Sequence, residues 1–292
     1  MFRLTFFLSV LVSFVTAAVS AEDLSFDYDK TRPLDVQVTG TREQEGVTLR
    51  EISYAQLDGS RNAATFIARA DRSGASPAIL FVHWYGPPRP TSNRTQFIPE
   101  AIELAKTGAV SLLIDTPWSR FEYFRERKRE DDYARSVQQV KDLRRALDVL
   151  LAEPNIDAVR VAFVGHDFGA MYGVLAAAGD PRVRAFVFIA GTQSFSDWFL
   201  YGKPKLEGEA KQKFVDELAP LDPIRYVPRL KTPILLQFSD PDEHVSKERA
   251  NALAAAAREP KTIRTYASDH ELNIEAAKRD RLTWLHDQLQ LK

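Results

Sequence analysis

The chain has 292 residues, 39 of them Lys or Arg and 40 Asp or Glu, for a formal net charge of -1, so no global field draws it to nucleic acid or anionic lipid. A hydrophobic share of 45% and a charged share of 27% are those of a globular protein rather than a disordered or fibrous one. The absence of cysteine excludes a disulfide framework, a thiolate metal site and a cysteine nucleophile.

Residues 1–21 differ in kind from the rest. Arg3 precedes an apolar run over 4–19, and Val19-Ser20-Ala21 places small residues before Glu22 and Asp23. This pattern predicts a signal peptide cut after Ala21, with export to the periplasm or the extracellular space. An uncleaved anchor is the competing reading, but the run is short for a span that needs about 20 apolar residues. No later segment is apolar enough to span a bilayer, so no stable membrane insertion is expected after cleavage.

Residues 22–46 are polar, contain Pro33 and lack a clear period, which reads as an extended strap. Two strand-like stretches, 48–54 and 63–68, flank the turn signal Asp58-Gly59 and predict a hairpin. Continuous apolar runs then follow at 78–82, 109–114, 159–164, 185–189 and 233–238, as expected of strands buried on both faces of a parallel sheet. Helical patterns at 95–106, 131–151, 169–178 and 247–258 separate them, and a last helix is expected over 274–291. The fold class is therefore α/β: one domain over 47–292, with a mostly parallel sheet, antiparallel N-terminal strands and helices on both faces. An insert over 192–232 has room for one or two short helices, at 198–201 and 209–218, but not for a large cap. The charge-balanced run 120–132 reads as a solvated loop and helix start; a substrate role for one of its arginines or for Tyr123 is the alternative.

Ligands of such sheets bind at the carboxyl ends of the strands. After the 159–164 run comes Gly165-His166-Asp167-Phe168-Gly169, followed by a helical pattern. Strand, Gly-x-nucleophile-x-Gly, helix is a nucleophile elbow with Asp167 at its apex. A plain strand-helix turn with an N-cap aspartate is the bland alternative. After the 233–238 run, Asp240 and Asp242 both offer a triad acid, and Asp242 is preferred because Val245 anchors the loop end. Asp240, Asp242, Glu243 and His244 are adjacent rather than spaced around one ion, so neither a metal nor a cofactor is expected. His270, between a short strand and the last helix, completes the order nucleophile, acid, base. The first run ends in His83-Trp84-Tyr85-Gly86, where such a fold takes one oxyanion donor: the Tyr85 N–H, with Trp84 competing, opposite the Phe168 N–H. Trp84, Tyr85 and Phe168 equally suit the walls of an apolar pocket. His83 and His166, beside sharp turns, are expected to orient backbone, while His244 and His286 have no evident task.

These motifs, in this order, resemble the α/β-hydrolase superfamily from residue 47 to the end. Within it the chain is similar to the dienelactone-hydrolase and prolyl-oligopeptidase-like group, through residues 221–227 leading into Lys231-Thr232-Pro233 and through its short insert. Members of that group carry serine or cysteine where this chain has Asp167. Aspartate there resembles epoxide hydrolases and haloalkane dehalogenases, which have larger caps and a His-Gly-x-Pro sequence where this chain has His83-Trp84-Tyr85-Gly86.

A carboxylate is a poor nucleophile towards an ester carbonyl but suits displacement at an sp3 carbon, which gives an alkyl-enzyme ester. The expectation is an exported hydrolase of a small organic substrate, an epoxide or halide, working through Asp167, His270 and Asp242. Two alternatives stand: an ester hydrolase in which Asp167 acts otherwise, and an inactive fold that binds a ligand.

Overall fold

The computed structural model describes residues 24–201 and 205–292; the expected signal peptide lies outside them. Among the described residues one sheet is built from β1 Gln37–Gln44, β2 Val47–Ala55, β3 Arg61–Arg69, β4 Ser76–Val82, β5 Val110–Ile114, β6 Ile156–His166, β7 Ala185–Ile189, β8 Ile234–Ser239 and β9 Lys261–Tyr266. Their spatial order is β1-β2-β3-β5-β4-β6-β7-β8-β9. The first three strands and the β3/β5 pair are antiparallel, and every pair from β5 through β4 to β9 is parallel. Four of the five continuous apolar runs form β4, β5, β7 and β8, buried along their whole lengths; the fifth lies in β6, which is buried only from residue 161 on, with Val159 exposed. Helices on both faces leave no side of those four strands to water, which is why their sequences do not alternate.

The helices are α1 Ile98–Lys106, α2 Tyr123–Glu126, α3 Asp132–Ala152, α4 Phe168–Ala178, α5 Phe195–Phe199, α6 Gly208–Leu218, α7 Pro223–Tyr226, α8 Lys247–Ala256 and α9 Glu275–Leu289. Apolar residues of α3, α4, α6 and α8 pack on one face of the sheet, and those of α1 and α9 on the other. The two outer helices are joined by a buried bidentate ion pair, Arg281 to Glu100 at 2.8 and 2.6 Å. The described residues of the 192–232 insert form α5, α6 and α7 and no separate cap.

The sheet begins inside the segment read as a strap. β1 is exposed along almost all its length, so no apolar period marks it in the sequence; pairing with β2 makes it a strand. Upstream of it, the buried Arg145 donates to the carbonyls of Arg32 and Pro33 at 2.9 and 2.6 Å, and also to that of Ala55 at the end of β2 at 3.1 Å. Phe26, also buried, joins the core, so this segment is tied down by polar and apolar contacts alike.

Candidate active site

The 165–169 turn reverses the chain from β6 into α4. Asp167 sits at its apex with φ 54° and ψ −117°, a strained conformation for a residue with a side chain, costing on the order of 1–3 kcal/mol. The flanking glycines are steric necessities. A Cβ on Gly165 would lie 2.3 Å from the Gly169 carbonyl oxygen, and one on Gly169 would lie 2.2 Å from that of Val82. The apex is pinned by the Asp167 N–H to the Ile189 carbonyl at 2.8 Å and the Ala170 N–H to the Asp167 carbonyl at 3.0 Å.

The Asp167 side chain is wholly buried. Its Oδ2 accepts the Tyr85 N–H at 3.1 Å, while Oδ1 has no partner. Trp84, the competing oxyanion donor, is otherwise engaged, since its N–H goes to Gln96 Oε1 at 2.9 Å. Burial pushes the Asp167 carboxyl up to about 7, against the opposing pull of His270 and of the Tyr85 and Phe168 N–H groups. The Tyr85 loop is held from beneath. The Gly86 N–H donates to Ser92 Oγ at 3.0 Å, and His83 Nδ1–H donates to the Trp84 carbonyl at 2.7 Å. His83 Nε2 then accepts from the Thr116 and Ser119 hydroxyls, each at 2.8 Å. Burial lowers the His83 pKa to about 4, so near neutral pH it is an uncharged brace.

The structure seats Asp242 on His270 and turns Asp240 outward onto Lys247 at 2.8 Å. His270 Nδ1–H donates to Asp242 Oδ2 at 2.9 Å and reaches Oδ1 at 3.2 Å. Three further donors hold the same carboxylate: the Ser239 hydroxyl at 2.7 Å and the N–H groups of His244 and Val245 at 2.7 and 2.9 Å. Burial alone would raise the Asp242 pKa, but the His270 bond and these donors outweigh it and hold the group well below the usual carboxylate range. For His270, burial opposes the charge, yet Asp242 and the nearby Asp167 carboxylate prevail and raise its pKa. No hydrogen bond joins His270 to Asp167: His270 Nε2 is buried and without a partner, as is Asp167 Oδ1.

At His270 and Tyr85 opens a cavity of about 740 Å³, lined also by Trp84, Phe124, Trp198 and His244 among others; Asp167 and Asp242 lie beneath it and are not among its lining residues. Trp84 and Trp198 stand as its walls and do not fill it. The Phe168 side chain is not among the lining residues; it packs into an aromatic cluster with Trp118, Phe124, Tyr172 and Phe199. Tyr201 lines the mouth and is exposed. The 120–132 run is not simply solvated. Glu122 and Arg125 line the cavity. Arg127 is buried, paired to Asp132 at 2.8 Å, donating to the Phe199 carbonyl at 2.7 Å and lying over the Phe199 ring. That residue fastens the α2 side of the cavity to α5 of the insert. His244, which the sequence left without a task, also lines the cavity, with its ring centroid 4.9 Å from that of His270. Among the described residues no three His, Cys, Asp or Glu side chains cluster to hold a metal ion, and no helix is long and apolar enough to cross a membrane.

The sequence pattern of the dienelactone hydrolase family matches residues 118–274, just over half of the chain and the stretch that carries Asp167, Asp242 and His270. The acylamino-acid-releasing enzyme of Mus musculus is 27% identical over 176 residues, covering 52% of this chain and 24% of that enzyme; the match thus spans about a quarter of the curated relative. Among solved structures, the acetyl xylan esterase from Paenibacillus sp. R4 superposes with a TM-score of 0.74 at 17% identity, covering 88% of this chain and 89% of the other. Acetyl xylan esterase 1 from Thermoanaerobacterium sp. JW/SL YS485 gives a TM-score of 0.70 at 15% identity, covering 88% of each chain. With its parallel sheet, antiparallel first strands and elbow, this is an α/β-hydrolase fold.

Proposed function

The chain belongs to the dienelactone hydrolase family and is a hydrolase, and from that premise we propose that it acts through a covalent ester on Asp167, opened by His270 and oriented by Asp242. In the first step Asp167 Oδ1 forms a bond to an sp3 carbon of the substrate, and the bond to the leaving atom breaks with its electron pair. A halide departs as the anion; an epoxide oxygen departs as an alkoxide that takes up a proton from solvent water in the cavity. In the second step His270 Nε2 removes a proton from water, and the hydroxide attacks the carboxyl carbon of the ester. Negative charge gathers on the oxygen that faces the Tyr85 and Phe168 N–H groups. Collapse expels the alkoxide, which takes the proton back from His270 and leaves as the alcohol, and the Asp167 carboxyl loses its remaining proton to solvent and is restored as the carboxylate.

The observation that carries this reading is the pair of unpaired buried atoms, Asp167 Oδ1 and His270 Nε2. Each matches one reagent of the scheme, and burying either without a partner costs stability unless something uses it. The walls add support. Trp84 and Trp198 each carry a buried indole N–H without a partner, and an indole nitrogen only donates, which suits a leaving atom that gains negative charge.

A second reading is hydrolysis of a carboxylic ester with Asp167 as a water-activating base. The rise of its carboxyl to about 7 favours that reading, since a base works best with a pKa near the operating pH. Single-turnover hydrolysis in heavy-oxygen water separates the two. Label in the Asp167 carboxylate supports the covalent route, and turnover without label there overturns it. We further propose export by a signal peptide over residues 1–21. N-terminal sequencing of the protein from the cell envelope or medium is expected to begin at Glu22; a chain that retains Met1 contradicts it.

A further inference from the structure

We propose that Gln96 and His166 are positioning residues: they form a strut that ties the loop carrying the Tyr85 N–H to the loop carrying His270. The inference rests on the roles just proposed for Tyr85 and His270. Three hydrogen bonds make the strut. The Trp84 N–H donates to Gln96 Oε1 at 2.9 Å. Gln96 Nε2–H then donates to His166 Nδ1 at 2.5 Å, and His166 Nε2–H donates to the His270 carbonyl at 3.2 Å.

The direction of every bond is forced. A backbone N–H only donates, so the oxygen of the Gln96 amide must face Trp84 and its nitrogen must face His166. His166 Nδ1 therefore carries the lone pair and Nε2 the proton, which is the form the His270 carbonyl requires. Burial holds the His166 pKa well below its ordinary value, which fits a permanently neutral ring in this place. The ring is also stacked on Trp84, with centroids 5.3 Å apart and planes 4° from parallel.

The strut fixes what the other contacts leave free. Asp242 orients the His270 side chain through Nδ1, but the His270 main chain lies between β9 and α9, two residues before Leu272 with φ +50°. His166 holds that main chain from the elbow side. At the other end, Trp84 immediately precedes the residue whose N–H faces Asp167. Oxyanion donor, nucleophile and base thus come from three chain segments with one internal ruler between them. A small displacement of such groups costs up to about 100-fold in rate.

The test uses the chain from Glu22 to Lys292 with histidine labelled in 15N, whose five histidines are assigned by substitution. His166→Phe keeps an aromatic ring against Trp84 and removes both of its hydrogen bonds. Gln96→Leu removes both at the other joint. Each is expected to shift the His270 Nδ1–H resonance and to lower kcat about 10- to 100-fold at a KM within about twofold, with the double variant little worse than either. The kcat is read on styrene oxide, 1-bromobutane or 4-nitrophenyl acetate, whichever the parent turns over. His166→Gln, which keeps a donor for the His270 carbonyl, is expected to recover most of the loss. Unchanged His270 resonances and kcat, with only a lowered thermal midpoint, overturn the proposal and leave the pair as backbone-satisfying core. Failure of the underlying scheme looks different: His270→Ala then turns over undiminished, while the resonance shifts still report whether the strut exists.

Discussion

Two carboxylates flank His270, and the fold treats them in opposite ways. Asp242 receives four protein donors, including His270 itself, and is held ionised well below its ordinary pKa. Asp167 is fully buried, receives one backbone N–H at 3.1 Å and is pushed up to about 7. The same side chain is thus held ionised at one position and left with an unpartnered oxygen at the other, which fits the proposed roles of orienting acid and nucleophile. Pairs of acids whose surroundings drive their pKa values apart mark a division of labour. Here the number of donors, set by two loops, decides which acid is which.

The comparison breaks or holds on four measurements. Asp167→Asn removes the reactive member and is expected to lower kcat by about 10⁵-fold or more, read by product formation; retention of even a hundredth of the parent rate would remove Asp167 from the chemistry. Asp242→Asn leaves the shape but lets His270 take the wrong tautomer, for a loss of about 10⁴-fold. Equal small losses from both substitutions would mean that neither acid serves His270.

Stability gives an independent check. The Asp167 carboxyl titrates near 3.8 when unfolded and near 7 in the folded protein. Between those values the folded state holds a proton that the unfolded chain has lost, so this group's contribution to stability falls as pH rises through that interval. Asp167→Asn is neutral throughout. It is expected to match the parent at pH 4 and to exceed it at pH 8 by up to about 4 kcal/mol, measured by denaturant unfolding at both values. A gap that does not change with pH would show that no buried charge is relieved. The smallest effect is that of Ser239→Ala, which removes one of the four donors on Asp242. It costs about 1 kcal/mol and less than about tenfold in kcat, since the remaining three still hold the acid in place.

Much of this site was readable from residue order because the parts that carry it obey local rules. The strands before the Tyr85 and Asp242 loops, and the last six residues of the strand before Asp167, are buried and stand out as apolar runs, and the elbow must have glycine at 165 and 169, whereas β9, before His270, is polar and half-exposed. Asp242 was separable from Asp240 only by its nearness to Val245, a weak cue that the structure replaces with direct contacts. Other parts had no local signature. β1 is an exposed edge whose strand character comes from its partner, not from its own sequence. Arg127 and Asp132 sit in a run that looks like solvated charge, and their burial depends on α5, more than sixty residues further along. Gln96 acquires its meaning from His166, 70 residues away, and no pattern in either segment announces that meeting.

The backbone at position 167 is set by Gly165, Gly169 and the bond to Ile189, none of which reads the side chain at the apex. The turn itself is therefore indifferent to its occupant, although the Tyr85 N–H and burial are not. Base, orienting acid and backbone donors would serve a hydroxyl there as readily as a carboxylate. Under the proposed scheme, attack on a carbonyl and attack on a saturated carbon would lie one substitution apart on this scaffold, with every other part of the site kept.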